Sequence, residues 1–173
     1  DGCREGVLID KKKKAAKEEN GQTILKRPKS IPADIVRFKN GNENWIAFVG
    51  LQDGRPYEIF TGKIEEDAMY IPPKINKGFI IKVREENGSK RYDFQYIDRY
   101  GYTIGGISRL FNEEFWNYAK LISGVLRHGM PITNVVSLIE SLHLNSETIN
   151  TWKLGVERAL KQYISDGTKT KDK

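Results

Sequence analysis

At Gly105-Gly106 the hydrophobic pattern of this chain changes period, from two residues before the pair to about 3.6 after it. A chain with that switch has to pack an extended half against a helical half, which predicts an α+β fold. In the first half, Asp34-Ile35-Val36-Arg37-Phe38 leads into Asn40-Gly41, a dipeptide that supplies the positive φ of a tight hairpin turn. Trp45, Ala47, Val49 and Leu51 then alternate with Ile46 and Phe48, as in a strand covered on both faces. Asp53-Gly54 makes the next turn, and Tyr57, Ile59 and Phe60 complete a three-stranded meander. Thr61 to Gly78, with Pro72-Pro73, is expected to cross an edge of the sheet. Phe79, Ile81 and Val83, a turn at Glu86-Asn87-Gly88-Ser89, and Tyr92, Phe94 and Tyr96 predict a second hairpin with one aromatic face, for about five antiparallel strands in all.

Three C-terminal helices are expected against that sheet. Asn112 can cap the first, in which Phe115, Ala119, Ile122 and Leu126 share a stripe and Glu113 and Glu114 face the first-turn dipole. Gly129 is placed to end it, and Pro131 suits the first turn of the second helix, which carries Val135, Ile139 and Leu142. Asn145 or Ser146 caps the third, with Ile149, Trp152, Val156, Leu160 and Tyr163 on its inner side. The three helices need a sheet to cover, and the aromatic face of the second hairpin is expected to lie beneath them.

The net charge of +6 invites a nucleic-acid reading, so its location matters. Residues 1–29 hold nine Lys/Arg against five Asp/Glu and residues 161–173 hold four against two, whereas residues 30–160 hold sixteen of each. The excess sits in the flanks, and nucleic-acid binding by the middle is disfavoured. The expected organisation is a basic linker over 1–29, an α+β domain over 30–165 (mainly β over 33–104, helical over 112–164), and a disordered tail over 166–173. Cys3 is the sole cysteine, so an internal disulfide is excluded and a reducing, cytoplasmic setting is expected. No stretch approaches the ~20 apolar residues of a membrane span.

Catalytic chemistry finds little support. His128 lies at an expected helix C-terminus, where a cap is the simpler reading, and His143 lies in an interhelical link. Glu65-Glu66-Asp67 are adjacent in sequence, which does not converge carboxylates on a metal. Gly101-Tyr102-Thr103-Ile104-Gly105-Gly106 lacks the spacing and the Lys-Ser/Thr of a phosphate-binding loop. Tyr92, Phe94 and Tyr96, with Lys82, Arg84, Lys90 and Arg91 nearby, resemble the surface of single-strand binders. Arg55, Tyr57 and Glu58, beside the Asp53-Gly54 turn, are candidate interface residues, with a local cross-strand ion pair as the simpler alternative.

Three blocks carry a family resemblance. Asp1-Gly2-Cys3-Arg4-Glu5-Gly6-Val7-Leu8 resembles the "DGSR…VL" segment that leaves the catalytic barrel of large ribonucleotide reductase chains, particularly the adenosylcobalamin-dependent class II, with Cys3 in place of the usual Ser. Asp53 to Phe60, DGRPYEIF, resembles the "GRPFEVF" signature of that family's C-terminal extension, the TSCPD domain. Phe115 to Pro131, ending Leu126-Arg127-His128-Gly129-Met130-Pro131, resembles its helix followed by "LRxGxP". The blocks stand in the family's order; residues 61–105 form a longer insert than the shortest members have.

The resemblance implies a parent that reduces ribonucleotides to deoxyribonucleotides through a thiyl radical generated from adenosylcobalamin. In that family the radical cysteine, the active-site cysteine pair and the substrate site lie in the barrel. The resemblance therefore assigns no catalytic, cofactor-binding or metal-binding residue to this chain. The implied role is a non-catalytic accessory domain whose partners are its own barrel and a downstream cysteine-pair tail. The alternatives are a nucleic-acid or nucleotide-binding module and a subunit-interaction domain forming a homodimer.

Overall fold

The computed structural model describes residues 26–65 and 68–164. The segments 1–25 and 166–173, most of the expected linker and all of the expected tail, lie outside the described residues, as do Glu66 and Asp67 of the acidic run. Residues 26–29, expected from the sequence to belong to the linker, pack on the sheet: Lys29 carbonyl accepts from Lys82 N at 2.8 Å, and Arg27 is buried.

Two antiparallel meanders meet on one strand. The first comprises β1 (Ser30–Asn40), β2 (Glu43–Gln52) and β3 (Arg55–Lys63); the second comprises β4 (Lys77–Arg84), β5 (Lys90–Asp98) and β6 (Tyr100–Ile104). The order across the single six-stranded sheet is β3-β2-β1-β4-β5-β6. β1 pairs with β2 over Ala33–Asn40 but with β4 over Ser30–Asp34 only, so the two meanders share one end of β1 and diverge from there. The connection from β3 to β4 crosses the opening, burying Met69 and Ile71. Arg37 fastens it by donating to Pro72 O (3.1 Å), Ile75 O (2.8 Å) and Asn76 Oδ1 (3.1 Å).

The sheet has six strands where about five were expected. β6 escaped notice because its turn has no glycine or asparagine: Arg99 alone, at φ +70°, reverses the chain between Asp98 and Tyr100. β6 is also short and mostly exposed, so no alternation of burial marks it.

The divergence lets the sheet curl. Strands three positions apart in a flat sheet lie ~14 Å apart, yet Phe48 of β2 and Phe94 of β5 have ring centroids 4.8 Å apart. Phe60 of β3 and Tyr92 of β5, four positions apart, are at 5.2 Å. The aromatic face of the second hairpin is thus buried, but it meets the helices at its Tyr92 end alone, where Trp116 lies 5.6 Å away, and not along its length as expected. It closes onto the inner face of the first meander, with Ile31, Ile35, Phe48 and Phe60.

The outer face of β1–β3 carries the helices α1 (Glu113–Arg127), α2 (Ile132–Glu140) and α3 (Glu147–Lys161), which come after a short 3-10 turn (Ile107–Arg109). Asn112 Oδ1 accepts from Glu114 N at 2.9 Å, Ser146 Oγ accepts from Ile149 N at 3.2 Å, and Gly129 at φ +76° ends the first helix, as the sequence predicts. The outer core joins Phe38, Trp45, Ala47 and Ile59 to Phe115, Leu126, Ile139, Trp152 and Leu160. α1 also shields the β3 edge, where Ile59 N donates to Ser123 Oγ at 3.3 Å. Among the described residues no helix is long and apolar enough to cross a membrane.

α3 rides directly on Phe38. A Cβ on Gly155 would lie 2.0 Å from Phe38 Cζ, so only glycine permits this approach. Gly155→Ala is expected to lower the melting temperature measured by circular dichroism, because overpacking costs ~1–3 kcal/mol against a helix-propensity gain of ~1 kcal/mol. The α3 end is pinned by Tyr163, whose hydroxyl donates to Asp34 Oδ2 at 2.5 Å. Burial first, then that bond and the Asp34 charge, hold the phenol well above its ordinary range. The native state therefore keeps a proton that the unfolded chain releases near pH ~10, so this stability is present below that pH and lost above it. Tyr163→Phe should flatten the decline of denaturant midpoint between about pH 9.5 and 11.

Candidate functional site

The β2–β3 hairpin places Glu58 opposite Gly50, whose missing side chain makes its room: a Cβ on Gly50 would fall 2.7 Å from Glu58 Cγ. The carboxylate is 0% exposed. A carboxylate so far from water needs cationic partners, and two arrive from distant parts of the chain. Arg27 grips it with both prongs, Nε to Oε1 at 2.7 Å and Nη2 to Oε2 at 2.9 Å, and Arg127 Nη2 reaches Oε1 at 3.0 Å. Arg27 directs its remaining donors to Pro28 O, Lys29 O and Ile80 O, and lies 5.4 Å from the Tyr92 ring centroid. Arg127 lies 4.8 Å over the Tyr57 ring, and its Nε is buried without a partner.

The three candidate interface residues thus sit around one junction. Glu58 is enclosed, Tyr57 supports Arg127, and Arg55 donates to Leu126 O at 2.8 Å and Met130 O at 2.5 Å, gripping the end of α1. Arg55 and Glu58 do not form the local cross-strand pair weighed as the alternative. The Asp53–Phe60 block and the Leu126–Pro131 block, 71 and 75 positions apart through these bonds, fasten to each other.

Beside the triad lies a pocket of about 520 Å³ between the β4–β5 hairpin tip and the middle of α1. Gly88, Ser89 and Lys90 form one wall; Trp116, Lys120, Ser123, Gly124 and Arg127 form the other; Phe60 and Tyr92 line its base. Trp116 stacks on Phe60 at 5.4 Å and 12°, and Lys120 Nζ sits 5.2 Å from the Trp116 ring centroid. The strand register puts Lys82 opposite Tyr92 and Arg84 opposite Lys90, on the same side of the hairpin. Burial, then Lys90, Arg27, Arg127 and Arg84, push the Lys82 ammonium below the ordinary lysine range. Arg91 points away and pairs with Asp93 at 2.9 Å.

A second hollow of about 770 Å³ is an apolar trough along β4–β6, lined by Pro32, Phe79, Tyr96, Ile97 and Tyr102. Its charged groups, Asp34 and Lys77, neutralise each other at 3.0 Å. The histidines stand apart from both hollows' chemistry: His128 caps α1 and His143 is exposed between α2 and α3. Among the described residues no group of three or more His, Cys, Asp or Glu could hold a metal. Sequence reasoning missed Arg27, Trp116, Lys120 and Arg127 because they join the site from residues 27 and 116–127, far from the hairpin motifs.

Residues 31–165 match the family model described as "NrdJ homologue C-terminal domain". No curated protein and no solved structure matches the chain.

Glu58→Gln is expected to lower unfolding free energy by ~3 kcal/mol, since removing one member of a buried ion set strands its partners; urea denaturation checks this. Arg55→Lys, which keeps the charge but cannot span two carbonyls, should cost ~1 kcal/mol by the same measurement.

Proposed function

This chain belongs to the family of NrdJ homologue C-terminal domains, related to class II ribonucleotide reductase, and from that premise we propose that it is a non-catalytic accessory domain of such a reductase. The observation that carries the reading is that the family match, 31–165, is nearly coextensive with the packed unit of six strands and three helices. The role lies with the whole domain as a body. The parent's reaction, reduction of ribonucleotides to deoxyribonucleotides with adenosylcobalamin as radical source, takes place in the catalytic barrel, and no residue of this chain is assigned to the cofactor.

As a body, the domain places the segments that it joins. The chain enters β1 at Ser30, and its last described turn is tied by Tyr163 to Asp34 on the same strand. Four residues of strand span ~13 Å, so segments entering and leaving the domain start from neighbouring points. That geometry supports a tether holding a downstream cysteine pair at raised effective concentration near the barrel. The apolar trough, with Phe79 46% and Ile97 76% exposed, offers a face for the barrel to seat against.

In the parent enzyme, deleting residues 30–165 while keeping the downstream cysteine-pair tail should lower turnover with a protein thiol reductant several-fold more than turnover with dithiothreitol, which reaches the active site without a tether. Equal losses with both reductants count against the tether.

A further inference from the structure

Several cations on this domain are matched by carboxylates: Lys63 with Glu43, Lys74 with Asp98, Lys77 with Asp34, Lys161 with Glu140 and Arg91 with Asp93. Around the pocket between the β4–β5 hairpin and α1, cations without such a match gather. Among the described residues Lys82, Arg84, Lys90 and Lys120 have no carboxylate partner, and Arg27 and Arg127 share the single charge of Glu58. Lys90, Lys120 and Arg127 line the pocket and no carboxylate does, and such a local surplus of positive charge collects anions. Arg127 adds a buried donor, Nε, with nothing to bond.

Charge alone would call for any anion. The pocket is also aromatic, with Trp116 half-buried at its wall and Tyr92 beneath, and its size suits one small organic molecule. Gly124 supplies an independent clue. It sits inside α1, where glycine costs ~1 kcal/mol relative to alanine, yet a Cβ there would meet nothing within 4 Å. No packing within the domain requires this glycine, in contrast to Gly155. The open space it leaves borders this pocket and the neighbouring hollow lined by Leu121, His128 and Met130.

We propose that this pocket binds a nucleoside phosphate, with the phosphates held by Lys90, Lys120 and Arg127 and the planar base laid on the Trp116 face that Lys120 covers in this structure. A planar ring pairs with the aromatic wall and a multiply charged group with the cations. A nucleic-acid strand is the poorer fit, because the surplus charge converges on one hollow instead of following a track across the balanced surface.

Isothermal titration of the full chain with ATP and CTP, and separately with inorganic tripolyphosphate, adenosine and oligo(dT), tests this. A nucleoside triphosphate should bind with Kd below ~1 mM at low salt and more weakly as salt rises. Tripolyphosphate and adenosine should each bind at least ~10-fold more weakly than the joined molecule. Lys90→Gln and Lys120→Gln should each raise Kd by roughly 5- to 10-fold while leaving the melting temperature in place. Gly124→Ala should raise the melting temperature and yet weaken binding, a pair of opposite changes that a purely structural glycine would not produce. Absence of binding by either nucleotide at low salt overturns the proposal. So does a Kd unchanged by both lysine substitutions, tripolyphosphate binding as tightly as the nucleotides, or oligo(dT) binding where the nucleotides do not.

Discussion

Glu58 is the carboxylate on which the assembly of this domain turns. Its oxygens hold Arg27 from the entering segment and Arg127 from the end of α1, and Arg27 in turn bonds Ile80 O on β4. Four separate pieces of chain therefore meet at one charge that has no access to water. Such an arrangement is not a large source of net stability, because desolvating three ions offsets much of their attraction. Its effect is selective: any packing that encloses Glu58 without an arginine, or Arg27 without Glu58, leaves a buried charge uncompensated. The aromatic contacts of the curled sheet and the helix layer are less demanding, since apolar surfaces tolerate more than one register.

The curl and the triad are linked through β1. Because that strand serves both meanders with different segments, the second meander folds over the inner face of the first, and Tyr92 is carried to Phe60 and Arg27. α1, held at its end by Arg55 and Arg127, then borders the hollow left between itself and the hairpin tip. The pocket is thus a by-product of the same contacts that close the sheet. Arg127 belongs to both, with one nitrogen on Glu58 and another unengaged.

Much of this was readable from local chemistry. Asn40-Gly41 and Asp53-Gly54 mark their turns, Asn112 and Ser146 their caps, and Phe115 to Leu126 a helical stripe, since each signal is complete within a few residues. β6 was not readable, because Arg99 reverses the chain in a conformation no residue type announces there. Arg27 looked like part of a solvated basic run, as its charge says nothing of a glutamate 31 positions away. On the hairpin side of the pocket, Lys90 and Tyr92, with Lys82 and Arg84 opposite them on β4, stood out as basic and aromatic. Its helical half did not, because Trp116, Lys120 and Arg127 share a wall with that hairpin through the tertiary fold alone.

The spacing of the triad along the chain has a consequence for synthesis. Glu58 and Arg127 are 69 residues apart, a stretch that takes a ribosome on the order of 3–14 s to make. Hairpins form in about 1–10 μs, so the strands emerge and pair long before the helix that completes their charge. Through that interval Glu58 has at most Arg27 for company, and the first meander has an open edge where α1 will lie. The nascent domain is exposed on the side that its last-made third must seal: its charge set is completed at the end of α1, and its outer face is covered only when translation has passed the end of α3.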